Sequence, residues 1–146
     1  MTSVAFHFNA PDKTTYTCRL LRKAAGSGAR VIVTGDPEEL DRLDVALWTF
    51  SALEFVPHCR GDAPASMVQA SPVVLAGSNG QVPQAAVLVH LGGPPPDGIE
   101  RFEKVIEVVG QDVPDRQEAR QRWKFYAGLG HELVHHDVMQ RGRVNS

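Results

Sequence analysis

The chain has 146 residues, of which 42% are hydrophobic and 22% charged, enough apolar material for one ordinary core and too little length for two. Fifteen Lys and Arg against seventeen Asp and Glu leave a net charge of −2. This composition excludes global disorder, and the near-neutral balance excludes a general electrostatic field for gathering nucleic acid.

Along the chain, Val4, Phe6 and Phe8 alternate with Ala5 and His7, the period of a strand with one face on the core. Residues 14–25 repeat Cys18, Leu21 and Ala25 at helical spacing and stop at Gly26-Ser-Gly28, as helices do at glycine. Residues 30–34 form a β-branched run suited to a strand buried on both faces. Asp36, Pro37, Glu38 and Glu39 then read as a helix start, with an N-cap, a first-turn proline and acids at the positive end of the dipole. Leu40, Leu43 and Leu47 give that helix its buried stripe. Strand, helix, strand, helix over the first 48 residues predicts an α/β fold with a right-handed crossover.

From Thr49 to Ser71 no period persists, and an irregular connection is expected. Residues 73–76 and 86–91 read as further strands, and Gly92-Gly-Pro-Pro-Pro96 breaks the chain again. Ile99, Phe102, Ile106 and Val109 predict a third helix, and Pro114 precedes a fourth over residues 115–127. Residues 140–146 are expected to fray. No run reaches the roughly 20 apolar residues of a membrane span. The first residues lack the basic and apolar regions of a secretory signal, so a cytoplasmic protein without a membrane partner is expected. Cys18 and Cys59 have no Cys-x-x-Cys partner and read as reduced structural thiols.

His131-Glu132-Leu133-Val134-His135 fits the zinc-peptidase pattern. That site needs a helix carrying both imidazoles on one face, a third ligand and an open coordination position. Here the pentad follows Gly128-Leu-Gly130, and only His136 and Asp137 stand downstream as ligands. A polar tail with no metal is expected, and a zinc-dependent hydrolase on His131, Glu132 and His135 is the alternative. Gly26-Ser-Gly28 follows a helix and precedes a strand, the reverse of a dinucleotide loop. No phosphate loop or nucleophile elbow is present, so no catalytic residue, nucleotide site or cofactor is expected.

The fourth helix concentrates charge: Arg116, Arg120, Arg122 and Lys124 stand against Glu118 alone within nine residues. At about 100° per residue, Arg116, Arg120, Trp123 and Lys124 share about a quarter of the circumference, beside Ala119 and Tyr126. Two readings are open. One is a solvated basic face over a core-facing indole; the other is a clamp pairing arginines with a carboxylate-bearing ligand above an apolar floor. A second constellation joins Trp48 to Phe55-Val56-Pro57-His58, either a satellite cluster under a loop or the aromatic anchors of a protein interface. His58 is expected to bond a loop carbonyl.

With Arg42-Leu-Asp44, Leu47-Trp-Thr-Phe50, Phe55-Val-Pro-His58, Val87-Leu-Val-His-Leu91, Arg101-Phe-Glu103, Val105-Ile-Glu-Val-Val109 and Ala119-Arg-Gln-Arg-Trp-Lys-Phe-Tyr126 in this order, the sequence resembles the chi subunits of bacterial DNA polymerase III holoenzyme. Those are small accessory proteins of the clamp loader. The resemblance implies a three-layer Rossmann-like α/β sandwich with a largely parallel sheet, one domain across residues 1–146, no nucleotide site and no activity of its own. It also implies two protein partners, with DNA reached only indirectly. The psi subunit of the clamp loader would form a 1:1 heterodimer through Trp48, Phe55, Val56, Pro57 and His58. The acidic C-terminal tail of single-stranded-DNA-binding protein would be held by Arg116, Arg120, Trp123 and Lys124, the indole standing where some relatives have tyrosine. Residues 61–81 and the histidine-rich end resemble the family least.

Overall fold

The computed structural model of the chain describes residues 2–49, 56–77 and 86–139. Among them seven strands, β1 (Ser3–Ala10), β2 (Val31–Thr34), β3 (His58–Arg60), β4 (Val73–Gly77), β5 (Val87–His90), β6 (Lys104–Gly110) and β7 (Glu132–Asp137), are interspersed with α1 (Lys13–Gly26), α2 (Pro37–Thr49), α3 (Ala65–Ala70) and α4 (Val113–Gly128). The strands form one sheet in the order β3-β4-β2-β5-β6-β1-β7. Every neighbouring pair is parallel.

Parallel sheets need cover on both faces, and the strand alternation supplies it. Val31 and Val33 of β2 pack with Cys18, Leu21, Leu40, Leu43 and Leu47 of α1 and α2. Ile32 points the other way, into a core shared with Val68 of α3, Ile99, Phe102, and Ala119 and Tyr126 of α4. The result is a three-layer, Rossmann-like sandwich. Helix starts follow their caps: the Asp12 carboxylate accepts from the Thr15 N–H at 3.0 Å, and the Asp112 carboxylate from the Asp115 N–H at 3.2 Å. The Asp36 carbonyl accepts from the Leu40 N–H at 3.0 Å as Pro37 opens α2. Because Asp112 is the cap, α4 starts at Val113, with Pro114 in the first turn where its missing N–H costs nothing.

Four expectations are corrected. The helix over Ile99, Phe102, Ile106 and Val109 is a 3-10 turn at Ile99–Arg101 followed by β6. Val105 to Val109 is β-branched apart from Glu107, and insertion between β5 and β1 outweighs a helical spacing that Glu107 had simulated. Residues 49–71, read as irregular, contain β3 and α3. The alternation predicts one buried face for β1, but Ala5 and His7 are buried as well, because β6 and β7 flank it and helices cover both sides. The polar tail at His131 to Asp137 is instead strand β7, paired along β1. Cys18 and Cys59 are both buried and unpaired, and burial pushes the Cys18 thiol up to about 11, with Asp12 adding to the shift. The expected fraying at 140–146 lies outside the described residues.

Candidate functional site

The placement of α4 begins with a buried ion pair. Glu107 of β6 is fully buried and accepts from Arg122 Nε at 2.8 Å and from the Tyr126 hydroxyl at 2.6 Å. Burial pushes its carboxyl upward; the Arg122 charge and the Tyr126 and Arg122 hydrogen bonds oppose that. Arg122, 1% exposed, also donates through Nη1 to the Gly93 carbonyl at 3.0 Å. This anchor holds the turn after β5, where Gly93 adopts φ +85°, a conformation that favours glycine. Arg122 therefore leaves the basic face in which the sequence counted it. With Ala119, Arg122 and Tyr126 turned to the sheet, helical geometry places Trp123, Arg116 and Arg120 along one flank and carries Lys124 about 100° beyond the indole.

Beside that flank runs a groove of about 480 Å³. Phe6, Phe8 and Val109 form its floor from β1 and β6; Arg116, Ala119, Arg120 and Trp123 form its wall; Asn9 and His135 complete the lining. The half-buried indole lies on Phe6 at a centroid distance of 5.1 Å and meets the His135 ring at 5.9 Å. Arg116 and Arg120 are exposed, and among the described residues no ion pair or hydrogen bond engages either guanidinium. Lys124 is exposed on α4 and stands outside the lining. Among the described residues no carboxylate lines the groove, since Asp115 and Glu118 of α4 face a different cleft. Two unpaired guanidiniums beside an aromatic trough suit a ligand that carries a carboxylate next to an apolar side chain.

The other cleft, of about 360 Å³, lies at the carboxyl ends of the strands, where α/β folds place phosphates. Lys13 Nζ pairs there with Glu39 at 2.8 Å and Asp115 at 2.9 Å. Among the described residues Glu39, Asp112, Asp115 and Glu118 face only Lys13 and Arg42 across it. That balance repels a phosphate.

On α2, Val45 and Trp48 are 65% and 63% exposed and stand one turn apart. The Trp48 ring meets His58 edge-on at 5.3 Å. His58 is fixed from both sides, Nδ1 lying 2.7 Å from the Val56 carbonyl oxygen and Nε2 2.9 Å from the Asp44 carboxylate. The loop carbonyl was expected; Asp44 was not. Val56 is 2% exposed and belongs to the core, Pro57 is exposed, and Phe55 lies outside the described residues. The surface here is thus formed by Val45, Trp48 and Pro57. Val45 was missed, though its spacing from Trp48 opposite the leucine stripe was legible.

The His131-Glu132-His135 pattern lies on and before a strand rather than a helix. Residues four apart on a strand are about 13 Å from each other, so the two imidazoles do not share one ion in zinc-peptidase fashion. No group of three His, Cys, Asp or Glu among the described residues is placed to hold a metal. His135 lines the groove instead, a position the motif gave no hint of.

An all-parallel, three-layer α/β sandwich whose strand-end cleft is lined by its own carboxylates is a Rossmann-like fold without a phosphate cradle. Residues 1–134 match the family described as DNA polymerase III chi subunit, HolC, and the chain belongs to that family of replication accessory subunits. It is 30% identical to DNA polymerase III subunit chi of Pseudomonas aeruginosa over 120 residues, 82% of each chain. It is also 30% identical to the subunit of that name from Escherichia coli strain K12 over 119 residues, 80% of this chain and 79% of the relative. Among the described residues no helix is long and apolar enough to cross a membrane.

Proposed function

We propose that this chain is a non-catalytic adaptor of the cytoplasm, whose groove beside α4 holds the acidic C-terminal tail of single-stranded-DNA-binding protein while the Trp48 surface docks the psi subunit of the clamp loader. The observation that carries the tail assignment is the pairing of two unengaged guanidiniums, Arg116 and Arg120, with the Phe6, Phe8, Val109 and Trp123 trough. A peptide ending in an aromatic residue with a free carboxylate uses both: the ring fills the trough and the carboxylate takes the guanidiniums. A near-neutral protein with a few cations on one helix would release few counterions from a single strand of DNA, so the tail is the better guest. The resemblance adds Lys124 to the tail contacts.

For psi, Trp48 and Pro57 are exposed, while Val56 and His58 support them from beneath: Val56 is in the core and the His58 side chain is 1% exposed. Phe55 belongs to the same implied contact. A 1:1 complex through Val45, Trp48 and Pro57 would use an aromatic anchor with a rigid base.

The test is titration of a synthetic tail peptide, with and without its last two residues. Binding in the micromolar range is expected for so small an anchor site, with loss of binding on truncation. Equal affinity of the two peptides would reject the groove as a receptor for a chain end.

A further inference from the structure

Resting on the tail-binding reading, we propose that His135 is a recognition residue of the groove, closing an aromatic box around the peptide's apolar side chain and, when protonated, pairing with one of its carboxylates. Parallel pairing sets His135 of β7 against Phe6 of β1. Alternation along the strand then turns Leu133, His135 and Asp137 to the α4 side. Leu133 packs against the core below, and His135 stands above it, exposed. Its ring contacts Phe8 at a centroid distance of 5.8 Å and Trp123 at 5.9 Å. Two aromatic contacts from different elements hold the imidazole at the groove lip. Neither ring nitrogen has a hydrogen-bond partner among the described residues, which leaves both to a ligand.

Among the described residues the charged groups facing the imidazole are few. Helix α4 presents Arg116 and Arg120, with Lys124 beyond the lining; β1 presents Phe6, Phe8 and Asn9, and β6 Val109, none of them titratable. Its own strand adds Asp137 on the same face, which accepts a hydrogen bond from Asn9 Nδ2 at 3.1 Å. Glu132 and His136 point to the opposite face, where His136 meets His7. A peptide carboxylate entering the groove adds negative charge beside the imidazole, so binding and protonation reinforce each other by linkage. Histidine is the side chain that makes this coupling between pH 5 and 8.

The experiment titrates a fluorescein-labelled acidic peptide, ending in phenylalanine with a free α-carboxylate, into the full chain at pH 8.0 and pH 5.5 at constant ionic strength. Wild-type affinity is expected to rise about two- to fivefold at the lower pH, the size of a partly exposed ion pair. H135Q is expected to bind with less than about a 1.5-fold change between the two, and H136Q to keep the wild-type gain. Circular dichroism of each variant at both pH values checks that the fold persists. A gain that survives in H135Q, or wild-type binding that ignores pH, overturns the role of His135 and leaves the tail reading standing. Wild-type protein that ignores the peptide at both pH values overturns both.

Discussion

Two depressions border α4, and they treat their charges in opposite ways. In the strand-end cleft, Lys13 is shared between Glu39 and Asp115, and the Glu39 carboxylate sits so close over the backbone that a Cβ on Gly92 would fall 2.9 Å from its oxygen. Lys13 and Asp115 there serve the fold, and the acids that line the cleft outnumber its cations. In the groove along the flank, Arg116 and Arg120 have no internal partner among the described residues, and the floor is aromatic. One helix supplies acids to the first and cations to the second. Volume alone would not separate the two; what does is the setting of the cations, since guanidiniums beside apolar surface and away from the cleft's acids have free energy left to give a ligand.

The contrast is broken most severely at Arg122. Replacing it by Ala leaves the Glu107 carboxyl buried without its charge partner and frees the Gly93 carbonyl, so urea unfolding should show a loss of about 3–5 kcal/mol. Arg116→Ala on the same helix should change stability by less than about 0.5 kcal/mol. Similar losses in the two variants would mean that internal pairing does not divide the arginines of α4. In peptide titrations the order reverses: Arg120→Ala should weaken tail binding by about 1.5–3 kcal/mol, a lost charged hydrogen bond. Lys13→Met tests the carboxylate-lined cleft, with an expected stability loss of about 1–3 kcal/mol and peptide affinity within about twofold of wild type.

Acid unfolding probes the satisfied side further. Burial, with Arg122 and Lys13 nearby, holds the His90 imidazole neutral down to about 3, while the unfolded chain takes up that proton near 6.5. Between those values the unfolded state binds more protons, so the contribution is full above about pH 6.5 and is lost as pH falls. The structure shows why: Nδ1 bonds the Thr34 hydroxyl at 2.7 Å and Nε2 the Pro94 carbonyl at 3.1 Å, which a neutral ring satisfies. His90→Gln should flatten the acid arm by at most about 1.4 kcal/mol per pH unit. Glu107, raised by burial, acts with the opposite sign, so the slopes of variant and wild type are compared at each pH.

The same division between paired and unpaired groups explains what was readable in the sequence. α1, α2 and α4 and most strands were legible, because caps, glycine stops and apolar periods are local signals. Glu107 was not: a single acid inside Val105 to Val109 mimics the polar face of a helix, and only Arg122 and Tyr126, 15 and 19 residues on, make it a core residue. Arg122 was miscounted for the reciprocal reason. β7 was hidden because its cover comes from β1 at the other end of the chain, and with it the position of His135. Arg116, Arg120 and Trp123 could be grouped from helical angles alone, since their common flank is a property of one element; the groove they border needs β1 and β6.

Lys124 gives the smallest effect and the sharpest use of the contrast. It lies about 100° past Trp123 on the helix and outside the groove lining, so its attraction for an acidic peptide acts through solvent. Lys124→Ala should therefore weaken binding by about 0.2–1 kcal/mol at low salt, and the deficit should vanish near 0.5 M salt, where charges more than a few ångströms apart are screened. Arg120→Ala should keep most of its deficit there, because a guanidinium in direct contact with a carboxylate is screened far less. A salt series on both variants separates the two kinds of cation. If Lys124→Ala at high salt costs as much as Arg120→Ala, the tail wraps further around α4 than the groove extends, and unpaired charge rather than the trough defines the binding surface.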